Sequence, residues 1–244
     1  MRLEIPDRPR PYVMAHRGNL DACPENTLAA FRRAIDEGAD LLETDLHVTA
    51  DDVFVCIHDA TLDRTTDRTG AVAELTLAQV KAASASYGRP EFASERVPTL
   101  AELIAILPPQ MILALELKSD RFLEPATARR LAAELRAAGM LDRTVVLSFH
   151  PARVQAVKAA EPAIPTGFIT VRRLVPLPGV DLLGPFWPIL FLNPFYVRMA
   201  HRRGQPVCPL DPTPDSRLWY YRLLRVDAVL TNNTGKTRQA LGRS

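Results

Sequence analysis

Between residues 14 and 59 the chain gathers side chains that move protons and hold charge. His16 and Arg17 follow one apolar run, Glu43 and Asp45 sit two apart inside another, and His58 and Asp59 follow a third. Further along, Glu116 and Lys118 repeat the two-residue spacing at the end of a fourth. Residues two apart in a strand share a face, so Glu43 points with Asp45 and Glu116 with Lys118. Three carboxylates converging on one place repel one another, and each unpaired buried charge costs several kcal/mol. Two arrangements relieve this: each acid pairs with a nearby Arg or Lys, or the three share a divalent cation. Glu43 and Asp45 alone suit either arrangement, and Glu116 in an equivalent context favours the cation. Oxygen-only ligands favour Mg²⁺ or Ca²⁺ over zinc, which recruits His or Cys. A lone histidine is more often structural than catalytic, but His16 and His58 each stand beside a charged residue, and histidine exchanges protons near neutral pH. Arg17 offers a forked donor and Lys118 a point charge for an anion. One divalent cation, two proton-transfer groups and two fixed cations describe a site for a phosphate ester. No Ser or Cys has nucleophile-elbow spacing, which disfavours acyl-enzyme chemistry.

These residues need strands to carry them. The stretch 12–15 reads as a short buried strand. Asn26 or Thr27 then caps a helix whose Leu28, Phe31 and Ile35 fall on one face, Gly38 closes it, and 41–46 is the next strand. Strand, helix and strand with short joints predict parallel pairing. The stretch 51–98 is too long for an ordinary joint and predicts a small inserted subdomain after the second strand. It contains an extended run at 53–57 and a capping box at Thr76 with Gln79; a second box, Thr99 with Glu102, opens a helix bearing Leu100, Leu103, Ile104 and Leu107. Beyond it, strands are expected at 111–117, 144–149, 166–170, 189–192, 206–210 and 227–230, with helices at 127–138, 151–160, 195–203 and 216–224. Eight strands alternating with helices predict an α/β fold, a (β/α)8 TIM barrel forming one domain over 1–244. In such a barrel, polar side chains at the strand ends face the mouth.

Composition narrows the classes further. At 244 residues such a domain buries roughly 70–75% of its unfolded surface and needs no disulfides. Thirty Lys and Arg against 28 Asp and Glu leave +2, too balanced for a nucleic-acid binder. Cys23, Cys56 and Cys208 are odd in number and lack metal-type spacing. With no apolar signal segment in 1–11, the expected setting is cytoplasmic. From 174 to 197 the only charged residue is Asp181, yet five prolines argue against a spanning helix. Phe186, Trp187, Phe191 and Phe195 in this run are either ordinary packing or an apolar lip for peripheral contact with a lipid or membrane.

Several segments taken together resemble the glycerophosphodiester phosphodiesterase family. They are His16-Arg17-Gly18, Pro24-Glu25-Asn26-Thr27, Glu43-x-Asp45, His58-Asp59 with Leu62-Asp63-Arg64-Thr65-Thr66, Pro98-Thr99-Leu100 and Glu116-Leu117-Lys118. The match is dense from Val13 to about Ser119 and thins to spacing alone beyond Phe149. The resemblance implies a β/α barrel with a small insertion, metal ligation by Glu43, Asp45 and Glu116, and phosphate binding by Arg17 and Lys118. It also implies His16 as base and His58 as acid, with the opposite order left open. A glycerol hydroxyl would attack the phosphorus, the alcohol would leave, and water would open the cyclic phosphate to glycerol phosphate. The C-terminal half departs from the family pattern: Val207-Cys208-Pro209-Leu210-Asp211 replaces an aromatic-containing strand, and Thr231-Asn232-Asn233 replaces a Thr-Asp-x-Pro-like motif. These departures bear on the leaving group, and two rivals stand beside this reading: a lysophospholipid or sphingolipid phosphodiesterase of the same architecture, and a non-catalytic barrel that only binds phosphodiesters. Other motifs read as structural. Thr234-Gly235-Lys236-Thr237 lacks the first glycine of a P-loop, His201-Arg202-Arg203-Gly204 suits a helix end, and His47 is expected to pack rather than ligate. His150 follows a strand and is equally suited to lining the mouth or to structure.

Overall fold

A computed structural model describes residues 4–243; residues 1–3, where the 1–11 stretch begins, and 244 lie outside the description. The strands are β1 (Tyr12–His16), β2 (Leu41–Val48), β3 (Phe54–Cys56), β4 (Ile112–Leu117), β5 (Thr144–Ser148), β6 (Thr166–Thr170), β7 (Leu182–Pro185) and β8 (Ala228–Thr231). The helices are α1 (Leu28–Asp36), α2 (Leu77–Lys81), α3 (Leu100–Ile106), α4 (Pro125–Ala137), α5 (Pro151–Ala160), α6 (Trp187–Leu192), α7 (Tyr196–His201), α8 (Leu218–Leu224) and α9 (Thr234–Ala240). Local chemistry accounts for many of their ends. Thr27 caps α1 by accepting from the Ala30 amide, and both Thr76 and Thr99 form complete capping boxes. Proline occupies the first turn of α4, α5 and α6, where its missing N–H leaves no bond unmade.

Parallel pairing runs β7-β6-β5-β4-β2-β1-β8. The ring closes through the 206–210 segment: Val207 and Leu210 bridge β7 and its end in parallel, while the Asp227 amide donates to the Val207 carbonyl at 2.9 Å. The fold is a (β/α)8 barrel. Its interior packs Met14, Leu41, Ile112, Val145, Leu182 and Leu230, among others, and two larger clusters fill the space between the sheet and the outer helices. Along the inward face the side chains change character towards the C-terminal ends: Met14 gives way to His16, Leu41 to Glu43 and Asp45, and Ala114 to Glu116.

One expected strand is corrected. Residues 189–192 lie in α6, and the sixth strand of the barrel is Leu182–Pro185. A four-residue apolar run does not distinguish helix from strand. Here Pro188 opens a helix that buries Ile189 and Leu190 and exposes Phe191 and Leu192. Between β2 and α3 the chain makes the antiparallel strand β3, helix α2 and turns around a small core containing Val55, Leu62, Val72 and Val80.

Candidate active site

Parallel register sets the side chains against one another. His16 is level with Glu43, and Asp45 with Glu116. Carboxylate oxygens of Glu43, Asp45 and Glu116 lie within 4.8 Å of one another, and all three residues are buried. Arg17 Nε stands 3.0 Å from Asp45 Oδ2, and its Nη1 donates to Glu25 Oε1 at 3.0 Å. Lys118 Nζ donates to Glu116 Oε1 at 3.0 Å and lies 3.6 Å from Asp45 Oδ1. His58 Nε2 lies 3.0 Å from Lys118 Nζ, so all seven residues expected at the site come together at one end of the barrel. Both arrangements weighed from the sequence coexist, since the acids converge and are also partly paired.

The pairing is incomplete. Glu25, Glu43, Asp45, Asp59 and Glu116 face Arg17, Arg64 and Lys118, so with every group ionised five carboxylates against three cations would leave two negative charges in excess. Asp45 Oδ1 is buried and receives no hydrogen bond. Burial, and next the charge of Asp45, push the carboxyls of Glu43 and Glu116 above their usual range. Burial acts on Asp45 in the same direction, but Arg17, Lys118 and His58 outweigh it and hold its carboxyl low. A surplus of negative charge on full ionisation, an all-oxygen donor set and an unsatisfied buried oxygen fit a divalent cation. Glu43, Asp45 and Glu116 are the residues that would hold it.

The two imidazoles differ in surroundings. His16 donates from Nδ1 to Asn232 Oδ1 at 2.7 Å, which leaves Nε2 as the acceptor nitrogen. Desolvation, followed by the neighbouring Arg17 charge, lowers its pKa to about 4, so it is neutral near pH 7. His58 Nδ1 is 2.6 Å from Asp59 Oδ1, and its Nε2 is 3.0 Å from Lys118 Nζ. Asp59 is gripped by Arg64 at 2.6 Å, and Arg64 also meets both oxygens of Glu25 at 2.8 and 2.9 Å. The Arg64 contact, with His58 adding to it, holds the Asp59 carboxyl well below the usual range. His47 Nε2 lies 3.1 Å from the His58 carbonyl, on the same strand face as Asp45, so it fixes the backbone that carries His58.

Sequence reasoning left several contributors without a role. Asn26 donates to Asp45 Oδ2 at 3.0 Å and accepts from Thr44, Glu25 ties Arg17 to Arg64, and Asn232 orients His16. Adjacency to His58 pointed to Asp59. Glu25 and Asn26 lay in a recognised motif, whereas Asn232 comes 216 residues after His16 and was visible only as a departure from one. Of the residues set aside, His201 pairs with Asp227 at 2.8 Å at the foot of β8, His150 is exposed at the start of α5, and 234–237 opens α9.

The mouth is a pocket with His16, Glu43 and Glu116 on one side and Leu147, Ile169 and Leu210 among its apolar lining. The Glycerophosphoryl diester phosphodiesterase family model matches residues 16–236. A glycerophosphodiester phosphodiesterase of Caldanaerobacter subterraneus is 37% identical over 64% of this chain and 65% of its own length. The chain spans between half and two thirds of other curated relatives matched over this region. A probable glycerophosphodiester phosphodiesterase 1 of Mycobacterium tuberculosis is 30% identical over 93% of this chain and 91% of its own. Among solved structures, an Oleispira antarctica phosphodiesterase in complex with the product sn-glycerol-3-phosphate superposes with a TM-score of 0.83 at 27% identity, covering 95% of this chain and 97% of that one.

Proposed function

Since the chain belongs to the glycerophosphoryl diester phosphodiesterase family, we propose that it hydrolyses glycerophosphodiesters to an alcohol and glycerol 3-phosphate. Glu43, Asp45 and Glu116 hold one divalent cation, Mg²⁺ or Ca²⁺; when bound, it neutralises charge growing on the phosphoryl oxygens. The observation that carries the reading is the buried acidic triad with an imidazole at each border, one level with Glu43 and one against Lys118.

His16 serves as the base. Its Nδ1–H is committed to Asn232, so Nε2 takes the proton of the glycerol hydroxyl beside the phosphoester, and that oxygen attacks phosphorus. The arriving phosphodiester anion favours imidazolium and raises the low pKa of His16 towards working range. His58 serves as the acid: the contact of its Nδ1 with Asp59 orients the ring, and it delivers a proton to the departing alcohol oxygen. In the second half His58 takes a proton from water, water opens the cyclic phosphate, and His16 returns its proton to the glycerol oxygen. Arg17 and Lys118 contact the phosphate oxygens. The 51–98 segment works as an inserted unit that brings His58 and Asp59 to the barrel mouth.

A panel of glycerophosphodiesters with choline, ethanolamine, inositol and glycerol headgroups, assayed with Mg²⁺, Ca²⁺ or EDTA, tests the reading. Free glycerol 3-phosphate that appears only with metal is expected. Absence of metal-dependent release from every substrate would overturn the reading and leave a lysophospholipid or sphingolipid phosphodiesterase, or a barrel that only binds.

A further inference from the structure

Exposed apolar surface is concentrated on one side of the barrel mouth. Ten large hydrophobic side chains are exposed among the described residues, and all except Tyr87 and Leu123 fall between residues 171 and 223. Leu192, Phe195 and Trp219 are 72%, 65% and 65% exposed, values too high for ordinary half-buried packing. They form a connected surface. The Asn193 side chain donates to the Leu174 carbonyl, tying the loop after β6 to the end of α6. Phe191 stacks on Tyr220 with centroids 4.3 Å apart, and Trp219 lies 5.4 Å from Tyr220, tying α6 to α8. The surface also reaches the pocket, because Val171 directly follows β6, Trp187 lies two residues beyond β7, and Ile169 and Gly184 of those strands line the mouth.

Charge identifies what this surface meets. From 171 to 225 there are eight arginines, no lysine and three aspartates, although the whole chain carries only +2. Each of the aspartates is engaged, Asp181 by Lys158, Asp211 by Arg217 and Asp215 by Lys236. Arg172, Arg173 and Arg198 are exposed, and none meets a carboxylate among the described residues. Arg172 and Arg173 sit between Val171 and Leu174, so a pair of cations is flanked by apolar side chains on the same loop. Aromatic and aliphatic groups interleaved with unpaired arginines match the boundary between anionic headgroups and acyl chains. A second copy of the chain would bring the same positive charge against itself.

We propose that the 171–198 edge, extended by Trp219, is a docking surface for an anionic lipid bilayer and seats the barrel mouth at the membrane. The surface functions independently of the hydrolysis proposed above. Docking would let the enzyme work where lipid breakdown releases its substrates.

The test is co-sedimentation of the whole chain with phosphatidylcholine vesicles made with or without phosphatidylglycerol, alongside tryptophan emission in a Trp187→Phe background that reports on Trp219. Binding to the anionic vesicles with a blue shift is expected, weakening as salt screens the charges. Arg172→Glu with Arg173→Glu should lower the partition by about a hundredfold, and Leu192→Ser with Phe195→Ser by about tenfold. Each pair should leave turnover of soluble glycerophosphocholine unchanged. Equal partition onto neutral and anionic vesicles, or no shift in Trp219 emission, would overturn the proposal. So would a dimer in sedimentation that the Leu192→Ser, Phe195→Ser protein fails to form, since a second copy would then own the surface. Loss of turnover in the wild-type protein would count against the hydrolase reading and leave this one standing.

Discussion

At the scale of single residues, the site sets two imidazoles in unlike surroundings. His16 is half-buried, neutral and pinned by a carboxamide, whereas His58 is braced by a carboxylate that Arg64 holds in place. Replacing either histidine with alanine should reduce turnover by about 10²–10⁴-fold, the usual worth of acid–base help, while the Tm stays close to wild type. Steady-state rates on glycerophosphocholine check this, and near-normal turnover in either variant would remove that histidine from the mechanism. The acidic triad makes a separate prediction about pH. Glu43 and Glu116 have raised pKa values, so above their unfolded value near 4.5 the unfolded chain releases protons that the metal-free fold retains. Metal-free stability therefore loses this contribution as pH rises through that window, and an added cation must displace the retained protons. The Tm gained on adding Mg²⁺ or Ca²⁺ should be larger at pH 8 than at pH 5. Comparing metal-bound with metal-free protein at each pH separates this effect from the opposite trend of His16, whose lowered pKa makes stability fall as pH drops from 6.5 towards 4. Scanning fluorimetry at both pH values, with and without metal, is sufficient.

At the scale of elements, the turn from β1 into α1 does more than connect them. Arg17 and Gly18 both have positive φ, 55° and 90°, and this brings the Arg17 amide to the Glu43 carbonyl at 3.0 Å and to its carboxylate at 3.2 Å. A Cβ on Gly18 would fall 2.5 Å from the backbone carbon of Ala30 in α1, so the turn is closed to every other residue type. Gly18→Ala should destabilise the protein by more than about 1 kcal/mol in urea titration and lower kcat by displacing Arg17. A variant as stable and active as wild type would contradict this packing. The joint after β2 is the second such element. Its hairpin strand β3 pairs with β2 at Leu46, His47 and Val48 and returns the chain so that His58 and Asp59 reach the mouth. The same joint explains how His47, which was expected only to pack, comes to hold the His58 carbonyl.

At the scale of the whole molecule, the barrel depends on a closure at its least regular seam. The Asp227 carboxylate, 3% exposed, accepts from the Val207 amide at 2.8 Å and pairs with His201 and Arg10, joining the 206–210 segment to β8. Asp227→Ala leaves the buried Val207 amide without its acceptor and should cost about 1–3 kcal/mol by chemical denaturation. Turnover at low temperature should survive, because Asp227 lies at the foot of the strand whose far end leads to Asn232. Wild-type stability would show that the seam closes by backbone pairing alone. The eight-fold alternation and the seven charged or imidazole residues could be read directly from the chain, because strand periodicity and side-chain type are local properties. The positions of the caps at Thr27, Thr76 and Thr99 were legible for the same reason. Local pattern failed at 189–192, where four apolar residues suit either a buried strand or a helix and only packing beside Pro188 chooses. Tertiary structure alone brought Asn232 to His16, Glu25 to Arg64 and the exposed side chains of α6 and α8 onto one surface. Those contacts join parts of the chain that only closing the barrel makes neighbours, and no local spacing encodes such a meeting.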